Sequence, residues 1–218
     1  MITTTMNINE IAFEIANDLK NVEKFISNVL PKMRRRALKR RDKRYYQVFD
    51  IKTKKHNDWI VAIDYLKSDP SLVMYCTYVN SQGYNAVMVC TASVSFVHYS
   101  GHFLERYNER FLGGKLTSKK EILKEYALRN NVASFEHPFN DERFFGCTND
   151  GILLGYYEQE TDWFNCKTFI TKEMTFDSQQ STLDMASSSY QRYWNEVHGK
   201  TVVPEYYSSC TQKRLYNS

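Results

Sequence analysis

Apolar residues recur every three or four positions over roughly the first forty residues, then every second position over the next fifty. That change of period divides the chain into a helical opening and a strand-rich body. In "NINEIAFEIANDLK", Asn7 and Glu10 stand at capping-box spacing ahead of Ile8, Ile11, Ala12, Ile15 and Ala16. This spacing predicts an amphipathic helix. A second helix is expected from about Asn21, with Phe25, Val29, Met33 and Ala37 near one stripe, and Pro31 kinking it or starting a new first turn.

Between residues 45 and 98 the pattern alternates. "YYQVFDI", "DWIVAIDYL", "SLVMYCTYV" and "YNAVMVCTASVSFVHY" read as four strands, separated by "KTKKHN", "SDP" and "NSQG". Such short connections imply an antiparallel meander, and the last run, apolar or small on both faces, reads as a central strand.

Helical spacing returns in "SGHFLERYNERFL", residues 100 to 112, closed by Gly113-Gly114 as a C-terminal cap and turn. Another helix is predicted from "TSKKE", where Ser118 and Glu121 form a second capping-box signature, through Ile122, Leu123 and Tyr126 to Asn130. After an irregular stretch containing Pro138 come "RFFGCTNDGILLGYYEQ" and "WFNCKTFIT". Asn149-Asp150-Gly151 marks a hairpin, with Gly151 expected at positive φ. A last helix is expected over 178–197, and the tail beyond Gly199 has no clear period.

The order αα–ββββ–αα–βββ–α predicts an α+β fold with a mainly antiparallel sheet: a four-strand meander plus three C-terminal strands, packed with a central helix pair and a C-terminal helix. The expected division is a helical segment over 1–44, an α+β domain over 45–199 and a tail over 200–218.

With 42% hydrophobic and 15% aromatic residues, the chain has the material for a real core. No apolar run approaches the roughly 20 residues of a membrane span. The opening "MITTTMNINEIAFEIA" lacks the basic and apolar regions of a secretory signal, so a cytoplasmic address is expected. Cys76, Cys90, Cys147, Cys166 and Cys210 form no C-x-x-C pair and suit reduced thiols, mostly in strands.

Charge is distributed unevenly. Residues 32 to 44, "KMRRRALKRRDKR", hold nine Lys or Arg and one Asp, a local +8 within a chain of net +4. Arg34, Arg35, Arg36, Lys39, Arg40, Arg41, Lys43 and Arg44 are therefore candidate contacts to RNA or single-stranded nucleic acid, with Tyr45 and Tyr46 as stacking partners for bases. The plainer reading is a solvated helix face that meets the acidic remainder of the chain or an acidic protein partner.

A second candidate lies in the helix after residue 100. His102, Arg106 and Arg110 recur at intervals of four and fall within an arc of about 80°. Like charges at that spacing cost roughly 0.2–0.5 kcal/mol per pair unless an anion lies against them. In the plain reading Arg106 pairs with Glu109 and the stripe is a surface feature. In the other, His102 transfers a proton while the arginines fork onto a phosphate. Thr168, in "CKTFITKE", would place a hydroxyl on that phosphate, and His98, Tyr99 and Ser100 stand close enough in sequence to reach it.

The H-x-x-x-R-x-x-x-R helix, a second helix and a strand ending in T-F-I together resemble the barnase–EndoU–RelE-type ribonuclease toxins over residues 98–172. The resemblance implies RNA cleavage without a metal, with His102 as general acid or base, Arg106 and Arg110 stabilising the phosphorane and Thr168 positioning the phosphate. "DGILLG" and "KTFIT" also resemble segments of uncharacterised bacterial and mobile-element proteins, which imply no function. The chain contains no H-E-x-x-H, Walker loop, G-x-G-x-x-G or G-x-S-x-G. No metal or cofactor is expected; Asp141, Glu142, Glu158, Glu160 and Asp162 could approach one another as a metal site for a hydrolase, but acids of predicted loops are usually just solvated. The two functional readings are a metal-independent ribonuclease and a non-catalytic nucleic-acid- or protein-binding adaptor.

Overall fold

The structure, a computed structural model, describes residues 1–66, 69–89, 96–130, 133–136 and 142–174, with the isolated positions 184 and 188. The expected helix over 178–197, the tail, Cys90, Cys210, Pro138 and Asp141 lie outside the described residues, apart from Asp184 and Ser188.

One helix, α1, runs from Ile8 to Leu38, where two were expected. Its start is as read: the Asn7 side chain accepts from the Glu10 amide at 3.0 Å, and the Glu10 carboxylate accepts from the Asn7 amide at 2.8 Å. Its continuity past Pro31 has a packing cause. Ile11, Ile15, Asp18, Val22, Ile26, Met33 and Ala37 form one buried stripe that passes across the proline without changing face. Burial of that stripe outweighs the hydrogen bond that a proline removes from the helix.

Among the described residues, nine strands form one mixed sheet: β1 (Arg44–Lys52), β2 (Asp58–Leu66), β3 (Asp69–Asn80), β4 (Gly83–Val89), β5 (Phe96–Ser100), β6 (Ala133–Glu136), β7 (Arg143–Thr148), β8 (Ile152–Glu158) and β9 (Trp163–Ile170). Their order is β1-β2-β3-β4-β5-β9-β8-β7-β6. Every pairing is antiparallel except β5 with β9, which is parallel. The run read as one central strand is two, β4 and β5, paired with each other at the middle of the sheet. The short edge strand β6 was not foreseen.

Helices α2 (Gly101–Arg110) and α3 (Lys119–Arg129) cover one face of the sheet, and α1 covers part of the other. β2 shows why its sequence is apolar from Trp59 to Ile63. Ile60 and Ala62 enter the core under α2 and α3, while Trp59, Val61, Ile63 and Tyr65 enter the core under α1. The α2 side is aromatic. Tyr107 meets Tyr126 and Phe169 edge-on, both with centroids 5.0 Å apart, and Phe103 meets Tyr99 at 5.1 Å.

Two local expectations are corrected. Ser118 precedes α3 but makes no side-chain cap, and the Glu121 carboxylate turns to Lys124 at 2.8 Å rather than back to the helix start. Gly151 sits in the β7–β8 turn as read, yet its φ is not positive. The turn needs glycine for space: a β-carbon there would run into the Ile170 carbonyl oxygen and lie 2.5 Å from Phe169 Cζ. Gly113 and Gly114, by contrast, do take φ of 69° and 70° to end α2. Among the described residues no helix is long and apolar enough to cross a membrane.

Candidate functional site

The C-terminal end of α1 is held to the sheet by Met33 and Ala37, both buried, which leaves the cations between them outside. Helix and β1 are joined by a tight turn in which Lys43 takes a left-handed φ of 53° and its Nζ donates to the Leu38 carbonyl at 3.0 Å. Three of the eight candidate cations are committed to the fold. Lys43 closes this turn. Arg44 clamps the buried Asp64 carboxylate through Nε at 3.0 Å and Nη2 at 2.6 Å, which raises the Arg44 pKa. Arg36 donates to the Tyr45 hydroxyl at 2.8 Å, its guanidinium 5.4 Å from that ring's centre.

Arg40 approaches the exposed Asp42 at 3.6 Å, and Arg35 Nε donates to the Pro31 carbonyl at 3.4 Å. Arg34, Lys39 and Arg41 are exposed and have no side-chain partner among the described residues. Of the two tyrosines, Tyr45 is engaged by Arg36, whereas Tyr46 is 54% exposed.

Ser100 caps α2, its hydroxyl accepting from the Phe103 amide at 3.2 Å, so His102 stands in the first turn. His102 and Arg106 lie on the outer side of the helix, away from the buried Phe103, Leu104 and Tyr107, while Arg110 is half-buried. His102 Nε2 accepts from Arg106 Nε at 3.4 Å, its Nδ1 is 3.7 Å from Glu105, and Arg106 Nη1 pairs with Glu109 at 2.8 Å. Arg110 reaches across to β9, where Nη1 donates to Thr168 Oγ1 at 3.2 Å and to the Phe169 carbonyl at 2.6 Å. β5 pairs with β9 only as far as Cys166, because the chain then leaves the sheet as α2. Arg110 thus meets a stretch of β9 that β5 does not cover. The sequence-predicted residues fall into two touching pairs, His102 with Arg106 and Arg110 with Thr168.

No family model, curated protein or solved structure matches this chain.

His98 does not join the stripe. It points to the opposite face of β5 from Val97 and Tyr99, beside Trp163, and its ring is held between two amides. Asn85 Nδ2 donates to Asn80 Oδ1 at 3.0 Å and to the Gly83 carbonyl at 2.8 Å, so Asn85 Oδ1 must accept from His98 Nε2 at 2.9 Å. Burial pulls the imidazole down to about 4, and the ring is neutral at pH 7 with its proton on Nε2. Nδ1 is then an acceptor. Asn165, whose Nδ2 has no partner while Oδ1 lies 3.0 Å from Nδ1, supplies the donor once its amide turns over.

Besides Asp64, two buried carboxylates were missed in the sequence. Asp18 on α1 is fully buried. Its Oδ2 accepts from Thr53 Oγ1 at 2.6 Å, Asn57 Nδ2 at 2.9 Å and Trp59 Nε1 at 3.0 Å, and its Oδ1 accepts from Asn21 at 2.8 Å. Burial alone would raise this carboxyl; the four hydrogen bonds together outweigh it and hold the pKa below the ordinary value. Asp150, in the β7–β8 turn, accepts from the Tyr107 hydroxyl at 2.6 Å, from Arg129 at 2.9 and 3.1 Å and from Asn130 at 3.0 Å. Burial and Asp150 push the Tyr107 phenol well up. A visible signal existed for Asp18: it is a lone acid on an otherwise apolar stripe. Among the described residues no group of three or more His, Cys, Asp or Glu is placed to hold a metal ion.

Proposed function

We propose that the protein is a nucleic-acid-binding domain that grips a phosphate backbone with the end of α1 and the turn into β1. The observation that carries this reading is the group Arg34, Lys39 and Arg41: exposed, close in sequence on one anchored helix end and its turn, and not neutralised by any described acid. Exposed cations at a helix C-terminus are favoured by the helix dipole in any protein. That accounts for one or two of them and not for nine in thirteen residues. Tyr46 stands on the other face of β1, toward α3, and takes no part in this grip.

The test is binding of a single-stranded RNA oligonucleotide across a salt series. Affinity should fall linearly on a log–log plot, and the triple variant Arg34→Ser, Lys39→Ser, Arg41→Ser should flatten the slope by about 2, from ~0.7 per phosphate contact. No binding at low salt, or an unchanged slope in a folded triple variant, rejects the reading.

A second reading rests on the contacts along α2. With His102 on Arg106 and Arg110 on Thr168, the groups needed for metal-independent RNA cleavage lie in sequence along one helix and the strand beside it. The ribose 2′-oxygen would attack the adjacent phosphorus and give its proton to His102. The bond from phosphorus to the 5′-oxygen of the next nucleotide would break, that oxygen taking a proton from solvent water, to give a 2′,3′-cyclic phosphate, while the arginines face the developing charge. Wild-type protein that cleaves RNA no faster than its His102→Ala variant removes this reading and leaves the binding reading standing.

A further inference from the structure

We infer that the protein forms a two-fold dimer by pairing β1 with the β1 of a second copy, joining two nine-stranded sheets edge to edge. Among the described residues β1 has a neighbouring strand on one side only. It is nine residues long and keeps an unbroken register with β2 from Arg44↔Leu66 to Lys52↔Asp58. Exposed edges are usually shortened, bulged, or guarded by proline or lysine. The opposite edge, β6, is only four residues. β1 has no proline or bulge, and Asp50 is the only charge between its two terminal cations.

The occupant follows from register. A two-fold axis perpendicular to the sheet pairs each residue with one an even number of positions away, because cross-strand neighbours share a face. Centred on Val48, the pairing sets Arg44 against Lys52. Centred on Tyr46, it sets Asp42 against Asp50. Centred on Gln47, it sets Arg44 against Asp50 twice, Tyr45 against Phe49 and Tyr46 against Val48, and it brings Asp42 opposite Lys52. Among these three centres, only Gln47 gives opposite charges at every charged pair.

A groove beside the edge fits the same register. A cavity of about 310 Å³ lies between β1 and α3, lined by Tyr46, Val48, Leu116 and Leu128 together with Gln47 and the charged Glu121, Lys124 and Glu125. In the Gln47-centred pairing the second copy's Tyr46 lies across Val48, over this groove. Tyr46, 54% exposed in the single chain, would then be covered in both copies. The inference does not depend on nucleic-acid binding.

Sedimentation of the full chain over a dilution series should give twice the chain mass. Gln47 meets its own copy on the axis, so Gln47→Glu and Gln47→Lys should each sediment as monomers, and an equal mixture of the two should restore a dimer. Gln47→Cys should form an inter-chain disulfide under diamide oxidation far faster than wild type, which covers the case in which lysine beside Arg36 prevents folding. Monomeric wild type, dimeric charged variants, a mixture that stays monomeric, or a Gln47→Cys chain that cross-links no faster than wild type would each overturn the pairing.

Discussion

Asp18 and Asp150 are both carboxylates taken almost wholly out of water, and each ties three segments of chain together, but their charges are met in opposite ways. Asp150 faces a guanidinium as well as a phenol and an amide. Among the described residues Asp18 faces no cation within hydrogen-bonding reach, only four neutral donors from α1, the β1–β2 turn and β2. An ion pair tolerates some loosening, because attraction between charges falls slowly with distance. A charge held by neutral dipoles depends on every donor being aimed, since each is worth little once misaligned. The α1 side of the sheet is thus fastened by geometry and the α3 side by charge.

The largest expected effect breaks the first of these. Asp18→Ala strands the donors of Trp59, Asn57 and Thr53 inside the protein and should cost about 4 kcal/mol, read from the urea midpoint. A loss under 1 kcal/mol would show that water or a rearranged side chain replaces the carboxylate.

Acid sharpens the contrast through a third, half-buried group. His98 takes up its proton below its ordinary 6.5 in the unfolded chain but only below about 4 in the fold. The unfolded chain therefore holds more protons across that window, and stability falls as pH drops through it, by about 3 kcal/mol in all. Asp18 is shifted in the same direction but with the opposite meaning, because its charged form is the one the fold favours: its contribution is present above its ordinary 3.8 and is lost as pH falls through its lower folded value. His98→Gln should then flatten the stability curve between pH 6.5 and 4 and leave the steeper fall below it. An unchanged curve would mean that His98 is protonated in the fold without strain.

The smallest effect loosens the charge-held side. Arg129 is partly exposed, so Arg129→Met should cost about 2 kcal/mol, less than removal of a fully buried partner. That cost should shrink in high salt while the Asp18→Ala cost does not. Equal salt sensitivity for the two variants would erase the distinction between the sides.

How much of this was legible can be judged from two helix starts with the same signature. Asn7 and Glu10 formed their capping box because nothing nearby competed for either side chain. Ser118 and Glu121 did not, and Glu121 turns to Lys124 rather than back to the helix start. Strands with apolar residues on both faces were readable as buried, since α-helices do lie on both sides of β2. The parallel pairing of β5 with β9 was not readable, because no local period marks a partner so distant in sequence. Nor was the single helix through Pro31, where tertiary burial overrides a local rule. For the candidate site, the sequence brought His102 to the first turn of α2 and set Thr168 near Arg110. It did not tell that Arg44 and Lys43 serve the fold.

The parallel joint at the centre of the sheet also sets an order in time. His98 on β5 and Asn165 on β9 are 67 residues apart, while strands β1 to β5 are joined by short connections. A ribosome adding about 5–20 residues per second needs roughly 3 to 13 s to make that interval. During synthesis the meander can close on itself while the inner edge of β5, with Phe96, Val97 and Tyr99, waits for its neighbour. Nascent chains of this protein therefore pass through a stage with an apolar strand edge open in the middle of the future sheet, and chaperone demand should peak there and ease once residue 170 has emerged.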